Sequence, residues 1–95
     1  MAVVVEHYFD GASVELYDAV ISALGLTPHG PHVPGILFHW VTVTEQGLHV
    51  TDVWESREQY EQFVRERLAP INHALGNDTA PREVISEVYS YLTAG

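Results

Sequence analysis

Apolar and polar residues recur along the chain with two different periods, and the switches between them predict six elements. Residues 2–9 are rich in valine and aromatics and end at Asp10 and Gly11, the punctuation of a strand entering a turn. Ser13 stands at an N-cap position with Glu15 in the first turn. Leu16, Val20, Ile21 and Leu24 then recur at helical spacing until Gly25 offers a C-cap. The run "ILFHWVTVTEQGLHVTDVWE" holds two β-branched and aromatic segments joined through Glu45, Gln46 and Gly47, a hairpin pattern. Ser56 and Gln59 form an S-x-x-Q capping box, and Tyr60, Phe63, Val64, Leu68, Ile71 and Leu75 continue as an apolar stripe. Pro70 is expected to kink or split that helix before Gly76 ends it. The segment "EVISEVYSYL" alternates as a last strand, giving the order β-α-β-β-α-β.

That order in 95 residues predicts one domain, residues 1–95, of α+β class. It is the split βαβ, ferredoxin-like arrangement, a four-stranded antiparallel sheet with two helices on one face. The other face would be bare. Both sides of the last strand carry apolar residues, Ile85, Tyr89 and Tyr91 on one and Val84, Val88 and Leu92 on the other. A second copy packed sheet to sheet would cover the bare face and add to a modest core, so a homodimer is expected.

Composition narrows the partners. Thirteen Asp and Glu face only four basic residues, all Arg, and the formal charge of −9 repels nucleic acid and anionic membranes. The absence of cysteine removes disulfides, thiolate zinc sites and thiol nucleophiles. The start of the chain has neither a basic leader nor a long apolar stretch, which suggests a cytoplasmic protein.

The stretch "GLHVTDVWESREQYEQFVRERLAP", residues 47–70, resembles the dimeric α+β barrel superfamily, and within it the antibiotic-biosynthesis-monooxygenase-like branch. In that pattern a third strand carrying an acidic and then an aromatic residue runs through "ES" into an amphipathic helix. Asp52 and Trp54 fall on those two positions, while Phe63 stands where many members carry a histidine. The resemblance implies a homodimer with a cavity between sheet and helices in each subunit. It also implies a range of activities that includes cofactor-free quinone-forming monooxygenases and polyketide cyclases.

The residues themselves supply candidate chemistry. Val3, Val5, His7 and Phe9 share the more apolar side of strand one, which places His7 beneath the helices. A two-residue turn at Gln46 and Gly47 would set Trp54 opposite His39 and Asp52 opposite Val41, with His39, Asp52 and Trp54 on one face. A three-residue loop would shift the register by one and separate His39 from Asp52. In the first register a carboxylate beside an imidazole in an apolar pocket, with His7 able to join them, is the minimum equipment for taking a proton from a phenol or an activated carbon. The catalytic candidates are therefore His39, Asp52 and His7, and the substrate-binding candidates Trp54, Phe63, Phe9, Tyr60 and His32. Each has a plainer reading as a core or hydrogen-bonded residue. The superfamily also includes haem-binding members, which a histidine late in the second helix would resemble, but His73 falls about 200° from Ile71 on the helix and should point to water, which weakens a haem reading.

The loop "LTPHGPHVPG", residues 26–35, carries His29 and His32 among three prolines and two glycines. Two histidines without cysteine or a nearby carboxylate fall short of a zinc site, so a rim or lid over the cavity, or a plain loop, is favoured over a metal site. No cofactor is expected. Two functions stay open: a small cofactor-independent, monooxygenase- or cyclase-like enzyme acting on a small apolar, aromatic or polyketide-like molecule, and a non-catalytic homodimeric module binding a hydrophobic ligand or a protein.

Overall fold

The computed structural model describes residues 1–26, 33–77 and 80–92. Strand β1 (Val3–Asp10) leads to helix α1 (Val14–Ala23), and strands β2 (Ile36–Val43) and β3 (Gly47–Trp54) form the hairpin. Helix α2 (Arg57–Phe63), a π-helical turn (Val64–Leu68) and helix α3 (Ala69–Ala74) follow, and strand β4 (Arg82–Glu87) completes the sheet. The four strands lie antiparallel in the order β2-β3-β1-β4 with the helices on one face, the ferredoxin-like α+β fold.

Local chemistry explains the helix boundaries. Ser13 Oγ accepts the Leu16 N–H at 3.2 Å, and Gly25 leaves α1 at φ 74°, a left-handed conformation open to glycine. Ser56 Oγ accepts the Gln59 N–H at 3.2 Å, the N-cap half of the expected box, while its hydroxyl donates to Gln59 Oε1 at 3.0 Å, and together these bonds fix the start of α2. The break expected at Pro70 takes the form of the π turn just before it, where the Ala69 N–H reaches Val64 O. The wider turn absorbs the ring's clash with the preceding carbonyls without ending the helical path.

Two sequence expectations are corrected. The hairpin matches neither expected loop and turns one residue earlier than the two-residue turn at Gln46 and Gly47: Thr44 and Gly47 bond to each other, Glu45 and Gln46 form the loop, and His39 lies opposite Asp52 with Val41 opposite Val50. Gly47 cannot serve as a loop residue because it pairs with Asp10 at φ 150°, where a Cβ would lie 2.2 Å from Phe9 O. The slip is by an even number of residues relative to the first expected register, so the residues sharing a face are unchanged. The last strand is shorter than expected. It ends at Glu87, because β1 begins at Val3 and the Val88 N–H to Ala2 O bond, at 2.9 Å, is the final backbone link. Tyr91 instead sets its ring edge-on to Phe38, 5.5 Å away.

The helix-facing side of the sheet carries Val3, Val5, His7 and Phe9 from β1, with Leu48, Val50, Asp52 and Trp54 beside them. Val3, Val5, Val33, Trp54 and Tyr60 form the buried cluster, flanked by Leu26, Ile36, Phe63, Val64 and Ile85. This core occupies the α2 end of the molecule. No residue of α1 is buried, and its apolar side faces an open space above β2 and β3. Among the described residues no helix is long and apolar enough to cross a membrane.

Candidate functional site

The space beneath α1 is a cavity of about 950 Å³. Leu16, Val20 and Ile21 of α1, Val41 and Val50 of the sheet and Phe63 and Leu68 of the second helical segment give it largely apolar walls. Two polar clusters on the helix-facing side of the sheet contribute to those walls, one built on β2 and β3 and the other on β1 and β4.

The first cluster joins α1 to the hairpin. His39 Nδ1 lies 2.5 Å from Asp52 Oδ1, a contact created by the direct pairing of these residues across β2 and β3. On its other side, His39 Nε2 lies 2.6 Å from the Tyr17 hydroxyl, with the two rings nearly parallel. An ionised Asp52 only accepts, so Nδ1 carries its proton toward the carboxylate, and Nε2 accepts the Tyr17 O–H. Asp52 is buried and the His39 side chain is about one third exposed. Burial, followed by the charges of Asp52 and Asp18, pushes the Tyr17 phenol above its ordinary value and keeps it protonated.

The second cluster joins β1, α2 and β4. His7, buried beneath the helices as expected, does not join His39 and Asp52. Its cross-strand partners are Val50 and Glu83, whereas Asp52 sits opposite Val5. Glu83 Oε2 accepts from Tyr60 Oη at 2.5 Å and from His7 Nε2 at 2.7 Å, and Tyr60 Oη is 3.0 Å from the same nitrogen. Burial, the hydrogen bond to Glu83 and neighbouring carboxylate charges push the Tyr60 phenol far up, so it stays neutral. Burial opposes ionisation of Glu83, but the bonds from Tyr60 and His7 and the charges of His7 and Arg57 outweigh it and hold its carboxyl below the ordinary value.

Among the residues singled out from the sequence, His39, Asp52, His7, Phe9, Phe63 and Tyr60 line the cavity. Trp54 does not: it is fully buried and packs on Tyr60 and Phe63 at centroid separations of 5.7 and 5.4 Å. A large aromatic on the central strand fills the core rather than the cavity. His29 and His32 lie outside the described residues, and with them the rim, loop and metal readings of that segment. His73 is exposed, as its helical angle predicted.

Two residues escaped the sequence reading. Tyr17 precedes Val20 and Ile21 by three and four positions and so shares their helix face. Glu83 has the parity of Ile85, which points to the helix side of β4. Each signal was present, but a tyrosine on an apolar stripe reads as packing and a glutamate near a strand end reads as solvated.

No protein-family model matches the sequence, and no curated protein is significantly similar to it. Solved structures are similar across nearly the whole chain. An antibiotic-biosynthesis-monooxygenase-like protein from Chloroflexus aurantiacus matches with TM-score 0.68 and 18% identity over 100% of both chains. A monooxygenase from the gene ActVA-Orf6 of Streptomyces coelicolor, in complex with nanaomycin D, matches with TM-score 0.60 and 18% identity, covering 99% of this chain and 92% of that one. SnoaB, a cofactor-independent oxygenase from Streptomyces nogalater, matches with TM-score 0.62 and 11% identity, covering 96% and 95%. The fold of this chain is the one these antibiotic-biosynthesis-monooxygenase-like proteins share.

Proposed function

We propose that this protein is a small, cofactor-independent, monooxygenase- or cyclase-like enzyme that takes a proton from an apolar aromatic or polyketide-like molecule held beneath α1. The observation that carries this reading is the His39–Asp52 pair, 2.5 Å apart in the wall of a largely apolar cavity of about 950 Å³, a size suited to a small molecule. Asp52 orients the ring and stabilises the imidazolium formed when a proton is taken up. The anion left behind would then react with dioxygen or close a ring onto a carbonyl of the same molecule. Two of the similar structures are an oxygenase described as cofactor-independent and a monooxygenase holding nanaomycin D, which agrees with this chemistry.

Thermal-shift screening with phenols, naphthols and quinones, nanaomycin D among them, identifies a ligand. Turnover and melting temperature are then measured on the same variants. His39→Ala is expected to lower turnover by roughly 10²- to 10⁴-fold with little change in melting temperature, and Asp52→Asn to lower it less. An His39→Ala protein that melts and turns over like wild type refutes the assignment.

A second reading, a binding module without catalysis, is favoured by one observation: both nitrogens of His39 already have partners. Under either reading the protein is proposed to be a homodimer. The sheet face away from the helices presents Trp40, half exposed, and Val84, together with the Phe38–Tyr91 pair. Sedimentation at micromolar concentration should give twice the chain mass; a stable monomer would remove the dimer.

A further inference from the structure

His39 has no nitrogen to offer a ligand directly. Nδ1 is held by Asp52 at 2.5 Å and Nε2 by Tyr17 Oη at 2.6 Å, so a molecule in the cavity reaches Nε2 only by expelling the phenol or by passing a proton through it. Tyr17 lines the cavity from α1, which stands off the sheet, and so carries its hydroxyl between the ligand space and the ring.

We propose that Tyr17 is the catalytic residue that touches the substrate, and that Asp52–His39–Tyr17 works as one relay whose outer end is the phenol. This rests on the proton-abstraction reading above and names the group that performs it. The substrate class is an enol, a phenol or a carbon acid next to a carbonyl. Its O–H or C–H bond breaks and the proton bonds to Tyr17 Oη. The original Tyr17 proton moves at the same time to His39 Nε2, and the electron pair of the broken bond stays on the substrate as an enolate or phenolate. Asp52 balances the new imidazolium through the Nδ1–H bond. No oxidant enters this step. The burial and nearby carboxylates that keep Tyr17 protonated suit a carrier that holds a proton at rest. The same geometry sets the ligand's orientation, because its acidic oxygen or carbon must lie within hydrogen-bond reach of Oη, about 2.6–3.2 Å.

The test uses 4-nitro-1-naphthol, whose ionised form absorbs in the visible. It is measured with saturating protein at the pH where the free naphthol is half ionised. Wild type should raise the ratio of ionised to neutral naphthol by about tenfold, since the relay passes the proton to the His39 ring, whose positive charge the buried Asp52 carboxylate balances. Tyr17→Phe, which keeps the ring and removes only the hydroxyl, should abolish that rise, as should His39→Ala; Asp52→Asn should retain a fraction of it. If Tyr17→Phe ionises the naphthol as well as wild type or better, while His39→Ala does not, then the phenol is only a removable cap. The relay is then refuted and direct abstraction by His39 stands. If wild type leaves the ratio unchanged, or His39→Ala raises it as wild type does, the relay and the proton-abstraction reading fall together.

Discussion

Among the described residues two hydrogen-bonded clusters on the helix-facing side of the sheet have the same composition, each an imidazole, a carboxylate and a phenol, and are built in opposite senses. In the cluster around His39 the carboxylate is buried and the imidazole is the central member, bonded to Asp52 on one side and to Tyr17 on the other. In the cluster around Glu83 the imidazole and phenol are buried, and the carboxylate, with its side chain 42% exposed, is the central member that collects both protons. The difference decides what each can do. A chain of acceptor, ring and hydroxyl transmits a proton from one end to the other. Two donors converging on one oxygen instead lock each other in place, and their hydrogen bonds keep the carboxylate ionised against the opposing effect of its partial burial. The first arrangement suits chemistry and the second suits the fastening of β1 to β4 and α2.

Stability separates the two most strongly. Tyr60 is buried in the core against Trp54, whereas Tyr17 stands on a helix with no buried residue. Tyr60→Ala should therefore cost about 3–5 kcal/mol, as for other large aromatics removed from a core. Tyr17→Ala should cost below about 1.5 kcal/mol, since it forfeits only partial burial and one hydrogen bond. Urea unfolding of the two variants, with m-values compared to exclude a change in the unfolded state, measures both. Equal losses would erase the contrast between a structural and a chemical cluster.

Patterning made the fold and its sheet faces legible, because a strand's side is a matter of parity and survives an even slip of register. That is why His39, Asp52 and Trp54 share a face as in the first of the two registers the sequence leaves open, although the turn lies one residue earlier than that register has it. What patterning could not show was depth. Trp54 and Asp52 share a face and a strand, yet one is in the packed core and the other in the cavity wall, because α2 presses on one end of β3 and α1 stands away from the other. Nor could it pair His7 with Glu83, which are 76 residues apart and meet only through the β1–β4 register. Tyr17 and His39 likewise meet across the cavity rather than within one element, so no local spacing encodes their contact.

The smallest effect concerns pH, and it sharpens the assignment of Glu83 as a structural anchor. Its carboxyl is held below the ordinary value in the folded protein, where the hydrogen bonds from Tyr60 and His7 outweigh the opposing effect of burial. A group whose folded pKa is depressed adds stability above its unfolded pKa, about 4.3 for glutamate, and that stability is lost as the pH falls through the folded value. Lowering the pH from neutral to mildly acidic should therefore change little on this account, and the loss should set in as the pH approaches and passes the unfolded value of about 4.3. Glu83→Gln keeps an acceptor for Tyr60 and His7 but cannot ionise, so its melting temperature should be lower than that of wild type at neutral pH and the two should converge toward pH 3. The partial exposure of the side chain keeps the difference small, since solvent screens the charge it carries. Melting curves of both proteins across this range decide the matter. Parallel curves, separated by the same interval at every pH, would mean that the charge of Glu83 contributes nothing to folding and that only its shape and hydrogen bonds hold β4 to β1.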